Sequence, residues 1–177
     1  ISMGLPPALV AEGLTALRGV PGRLERVACS LSFRIFVDYA HTEESLRSLL
    51  NTARSFTKGR VLLAFGCGGD RDRTKRPRMG AVAQEMADVA VVTSDNPRSE
   101  DPLAILAEVR AGMTGAAPYH VEPDRAAAIR WLVGQAKDGD TVLIAGKGHE
   151  PGQILKDRIL PFDDREEALK ALRERGG

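Results

Sequence analysis

VLLAFGCGGDRDRTKRPRMG, residues 61–80, decides how the rest of the 177-residue chain is read. Five apolar residues run from Val61 to Phe65 and end in Gly66, Cys67, Gly68 and Gly69. An apolar run bounded by glycines reads as a buried strand. Three glycines let the backbone turn sharply and approach a ligand with no Cβ in the way. The charges that follow, from Asp70 to Arg78, include arginines, whose planar fork binds both oxygens of a carboxylate or phosphate. A lone loop of this kind reads equally well as a surface turn with solvated charges. The decision therefore rests on what ends the other strands.

Upstream, residues 34–37 read as a strand running into Asp38-Tyr39-Ala40-His41. Thr42 is placed to cap a helix, with Glu43 and Glu44 in its first turn and Leu46, Leu49, Leu50 and Ala53 on one face. Residues 24–29 suit an edge strand. Before them, Leu9, Val10, Leu14 and Leu17 have helical spacing over residues 6–17, and Val20-Pro21-Gly22 breaks the chain. We therefore expect residues 1–22 to be the tail of a preceding unit and residues 23–177 to form the domain.

Downstream, Pro77 is expected to precede a helix with Val82, Met86 and Val89 on its apolar face. Residues 89–93 form the next strand, ending in Ser94-Asp95-Asn96-Pro97-Arg98. Asp101 and Pro102 open a helix that Gly112 closes. A short strand over 119–121, a helix capped by Asp124, and a strand over 142–144 follow. That last strand runs into Gly146-Lys147-Gly148-His149-Glu150. A small hairpin around Lys156-Asp157 and a helix over 164–175 complete the chain. Alternating strands and helices predict an α/β fold: a Rossmann-like, doubly wound, mostly parallel sheet with helices on both faces and a small C-terminal β-hairpin.

Composition sets the limits on function. The chain is 43% hydrophobic and 28% charged with a net charge of +1, ordinary for a globular domain and without bulk attraction for nucleic acid or membrane. Residues 54–78 nevertheless hold eight basic residues against two acidic ones. A local positive site on a neutral protein suits a small anion better than a polymer. Cys29 and Cys67 make no disulfide framework or metal spacing and are expected to be reduced thiols of a cytoplasmic protein.

In open α/β sheets, ligands bind beyond the carboxyl ends of the strands. Four unusual stretches follow predicted strands: 38–41, 66–76, 95–98 and 146–150. Parallel strands would bring all four to one rim. There Arg71 and Arg98 offer forks for carboxylates, Asp95 and Glu150 can hold an ammonium, and Asn96 and the Gly146 backbone supply neutral hydrogen bonds. Such a rim describes a pocket for an amino acid, and two arginines imply more than one carboxylate. The competing reading of Asp95-Asn96-Pro97-Arg98 is a structural Asx-turn before the Asp101 cap.

Other chemistries fit less well. His41, His149 and Asp38 lack the spacing of a closed metal site. Ser94 is in no nucleophile elbow. Trp131 and Met86 read as core. The basic run has few aromatics and is interrupted by Asp72 and Pro77, which ranks nucleic acid below a small ligand. No G-x-x-x-x-G-K-[ST] loop is present, so nothing in this sequence cradles a nucleotide triphosphate.

At these loops the sequence resembles the C-terminal domain of the Mur ligases, above all their diaminopimelate-adding branch. The matching stretches are VPGRLERV (20–27), VDYAHT (37–42), FGCGGDRDRTKRPRMG (65–80), DNPRSE (95–100) and AGKGHE (145–150). Glu43 departs from the proline common after the AHT, at a position that only opens a helix. The resemblance implies one domain of an ATP- and Mg2+-dependent amide ligase of peptidoglycan synthesis. That enzyme adds meso-diaminopimelate to UDP-N-acetylmuramoyl-L-Ala-D-Glu through an acyl phosphate. It implies further that the ATP-binding central domain and the nucleotide-sugar N-terminal domain lie outside this chain, which alone would be inactive. By matching positions, Arg71, Asp95, Asn96, Pro97, Arg98, Gly146 and Glu150 would bind meso-diaminopimelate, with Arg98 reading the distal carboxylate. Asp38, Tyr39, His41, Lys75 and Arg76 would face ATP or the nucleotide substrate, with a solvated face as the alternative for Lys75 and Arg76. A lysine- or ornithine-adding ligase, a folylpolyglutamate-type relative, and a non-catalytic phosphate- or nucleic-acid-binding module remain as alternatives.

Overall fold

The computed structural model describes residues 4–16 and 19–176. Its central sheet has six strands: β1 (Glu25–Val27), β2 (Arg34–Asp38), β3 (Val61–Phe65), β4 (Val89–Val92), β5 (Tyr119–Val121) and β6 (Thr141–Ala145). Their order is β1-β2-β6-β3-β4-β5. The antiparallel strand β1 forms one edge, and every other pairing is parallel.

Six helices accompany the strands: α1 (Pro7–Ala16), α2 (Glu43–Phe56), α3 (Lys75–Met86), α4 (Pro102–Arg110), α5 (Arg125–Gln135) and α6 (Asp164–Glu174). All five residues of β3 are buried, and they alternate between two cores. Val61, Leu63 and Phe65 join the buried faces of α2, α3 and α4. Leu62 and Ala64 join those of α5 and α6. The doubly wound, mostly parallel architecture is as the alternation predicts. β2 and β3 lead to helices on the first face, whereas β6, lying between them, leads to α6 on the second. Crevices at the carboxyl end of a sheet open where successive connections diverge in this way.

Local chemistry sets the helix starts. Thr42 Oγ1 accepts from Ser45 N at 3.2 Å and Ser45 Oγ accepts from Thr42 N at 3.0 Å, a reciprocal cap on α2. Asp101, Asp124 and Asp163 cap α4, α5 and α6 through their carboxylates. The expectation for α3 needs correction. It begins at Lys75, before Pro77, and buries Met79, Val82 and Ala83, while Val89 already belongs to β4. Proline is tolerated there because the first-turn N–H groups have no helical acceptor.

No residue of α1 is buried. Leu17, expected to end that helix, lies outside the described residues. The hairpin pairs β7 (Gly152–Ile154) with β8 (Ile159–Pro161). Trp131 packs half-buried against the second core, as expected, and stacks on His120 with ring centroids 4.6 Å apart.

Candidate functional site

Beyond the carboxyl ends of β2, β3, β4 and β6 lies a polar cleft of about 390 Å³. Each of the four strand-end loops contributes to its wall. Tyr39, His41 and Thr42 come from the first; Gly68, Arg71, Asp72 and Lys75 from the second; Asp95, Asn96 and Arg98 from the third; Gly146 and Glu150 from the fourth.

Close backbone contact holds two of these loops together. A Cβ on Gly69 would stand 1.9 Å from the Pro97 carbonyl oxygen, and one on Gly66 would stand 2.2 Å from that of Thr93. These glycines let the loop after β3 pack on the loop after β4, so their task is loop contact and not approach to a ligand. Pro97 is accordingly buried behind the cleft and does not line it. Arg98 has a left-handed φ of 51°, which costs a non-glycine residue about 1–2 kcal/mol. Its guanidinium donates to Gly69 O at 3.0 Å and Asn96 O at 3.3 Å, its backbone N–H to Ile154 O at 3.0 Å.

Asp95 is buried and faces the cleft, and no donor among the described residues bonds its carboxylate. That excludes the Asx-turn reading. Burial pushes its carboxyl above the ordinary carboxylate range, against the pull of Arg125 and Lys147. Gly146 beside it has φ 116°, and a Cβ there would stand 2.5 Å from Asp95 Oδ2. Asn96 is engaged within the protein: Oδ1 accepts from Ile154 N at 2.9 Å, and Nδ2 donates to Glu150 Oε2 at 2.8 Å. Arg71 is exposed, and its one hydrogen bond among the described residues goes to Asp70 O at 3.0 Å, leaving most of its fork open.

The basic cluster is smaller than its sequence suggests. Arg54 pairs with Asp88, Arg60 with Asp140, and Arg73 with Glu108. Arg76 is fully buried, with Glu100 Oε1 at 2.8 Å and Glu108 Oε2 at 2.9 Å. The Arg76 hydrogen bonds hold the Glu100 carboxyl down to about 2. Arg76 is therefore neither a solvated cation nor open to a nucleotide, because two carboxylates from other elements already neutralise it. Asp38 is also turned away from the cleft: its oxygens accept from Leu24 N at 2.6 Å and Ala40 N at 2.8 Å. Lys75, by contrast, lines the wall and donates to His41 O at 2.8 Å.

Tyr39 and His41 form an aromatic corner of the cleft, their rings 4.6 Å apart in an edge-on arrangement, with the Arg23 guanidinium 5.0 Å from the Tyr39 ring centre. Sequence reasoning missed two buried cations beneath this wall, Lys147 and Arg125. Arg125 forms a doubly bonded ion pair with Asp164 and also donates to Ser94 O and Ala145 O at the ends of two sheet strands. A Lys or Arg beside glycine or a helix cap reads as surface, so no sequence signal marked them. Among the described residues no three metal-ligating side chains gather, and no helix is long and apolar enough to cross a membrane.

Residues 22–148 match the family described as Mur ligase, glutamate ligase domain. The chain is 51% identical over 176 residues to a Solibacter usitatus protein named UDP-N-acetylmuramoyl-L-alanyl-D-glutamate–2,6-diaminopimelate ligase, covering 99% of this chain and 36% of that protein. A Geobacillus thermodenitrificans protein of the same name is 52% identical over the same shares of the two chains. A solved structure of a ligase of that name superposes with a TM-score of 0.82 at 36% identity, across 99% of this chain and 36% of the other. The chain thus spans about a third of the length of the relatives it matches.

Proposed function

The chain belongs to the Mur ligase family, whose glutamate ligase domain it matches over most of its length, and from that membership we propose that it is the amino-acid-binding C-terminal domain of an ATP-dependent amide ligase that adds meso-diaminopimelate to UDP-N-acetylmuramoyl-L-Ala-D-Glu. The observation that carries the proposal is the convergence of Arg71, Arg98, Asp95 and Glu150 on one cleft. Two guanidiniums and two carboxylates complement a molecule with two carboxylates and two amines. Peptide-bond formation needs one of those amines uncharged and free to attack an activated carboxyl. The rest of the molecule has to be held still, and that is the task of these side chains.

Arg98 is assigned to the distal carboxylate and Glu150 to an ammonium. Tyr39, His41 and Lys75, on the adjoining wall, are assigned to the nucleotide or nucleotide-sugar substrate. ATP and Mg2+ belong in this proposal to a preceding domain, since the chain has no phosphate loop and its described residues gather no metal-ligand cluster. Residues 1–22 are assigned as the tail of that domain; the unburied α1 supports this. A cytoplasmic setting accords with the two free thiols, Cys29 and Cys67.

The test is Arg98→Ala in the full-length ligase that carries this domain, with Arg98→Lys as the variant that keeps the charge. A charge-assisted bidentate contact is worth enough that kcat/KM for meso-diaminopimelate should fall about 100-fold in the alanine variant, with turnover of lysine unchanged. Unaltered diaminopimelate kinetics would overturn the assignment.

A further inference from the structure

Lys147 lies beneath the cleft on the loop after β6 and is fully buried. A buried ammonium is tolerated when acceptors meet its three protons. Three acceptors do so, from three segments: Gly152 O of β7 at 2.6 Å, Asn96 Oδ1 of the loop after β4 at 3.0 Å, and Glu150 Oε2 at 3.3 Å.

This contact decides which way the Asn96 amide faces. Oδ1 is taken by Lys147 Nζ and Ile154 N, so Nδ2 is turned toward Glu150 Oε2. Oε2 therefore receives two hydrogen bonds, while Oε1 receives none among the described residues.

We propose that Lys147 is a positioning residue for the diamino acid. By locking the Asn96 amide and one oxygen of Glu150, it presents the other oxygen to the substrate ammonium. The inference rests on reading the cleft as the diaminopimelate site. It assigns Lys147 no contact with substrate. Its effect passes through Glu150.

A double-mutant cycle in the full-length ligase separates this role from simple structural support. Lys147→Met and Glu150→Gln are made singly and together, and KM is measured for meso-diaminopimelate and for ATP. Lys147→Met should raise the diaminopimelate KM about tenfold, the worth of one hydrogen bond to a charged group, with the ATP KM within about twofold. In the Glu150→Gln background the same substitution should change it by less than about threefold, because the group through which it acts is already gone. Persistence of the full factor in that background would show mere structural support and overturn the inference, as would an unchanged KM in the single variant. Should Lys147→Met fail to fold, Lys147→Gln runs through the same cycle. An unmoved KM in Glu150→Gln alone would overturn the site reading itself, and the role of Lys147 with it. A raised KM there with none in the Lys147 variants would overturn the role of Lys147 alone.

Discussion

Asp95 is the residue at which binding and stability pull apart. Asp95 is a buried residue whose carboxylate opens on the cleft and meets no donor among the described residues, and burial raises its pKa in the folded state. A carboxyl raised on folding binds more protons in the native state, so stability falls as pH climbs above its unfolded value. Asp95→Asn is therefore expected to stabilise the domain at pH 7 in urea melts. The gain should shrink on acidification and vanish below the ordinary value of 3.8. On the proposed function, the same variant should also lose diaminopimelate binding in the full-length ligase, a trade of stability for function. A destabilised Asp95→Asn at pH 7 would show that Arg125 and Lys147 depend on that charge more than its burial costs.

At the scale of single elements, α2 shows how local chemistry reaches the cleft. The reciprocal Thr42–Ser45 cap holds the first turn of α2 next to His41 and Lys75. Thr42→Ala should cost about 1 kcal/mol, read as a lower urea midpoint at unchanged m-value. This cap was legible in the sequence, as were the Asp caps and the apolar face of α2, because each is written within a few consecutive residues. The start of α3 was not, since Pro77 looks like a first helical residue and its tolerated place later in the first turn depends on orphan N–H groups. Arg76 and Lys147 were misjudged or missed for a related reason: their burial is set by carboxylates and carbonyls from distant segments. Asn96 was expected to serve a ligand, yet the amide of this residue braces the hairpin and Glu150. The rim itself could be anticipated, because the unusual residues stood immediately after predicted strands.

Taken whole, the molecule is clasped beneath its cleft by the Arg125–Asp164 pair, which ties α5 to α6 and to the ends of β4 and β6. Both side chains are fully buried, so removing one leaves an uncompensated charge. Asp164→Asn should cost about 3–5 kcal/mol in chemical denaturation. Glu85→Gln, which breaks the exposed Arg47–Glu85 pair, should cost less than about 1 kcal/mol. Equal losses would mean that the burial of the clasp carries no weight. Sheet order has a consequence of another kind. Thr141 of β6 pairs with both Arg34 and Val61, so the strand between β2 and β3 is the last of the central sheet to be made. A nascent polypeptide leaving the ribosome thus carries two naked ladder edges, on β2 and β3, until residues 141–145 have emerged. That interval is when it is most exposed to mispairing with a neighbour.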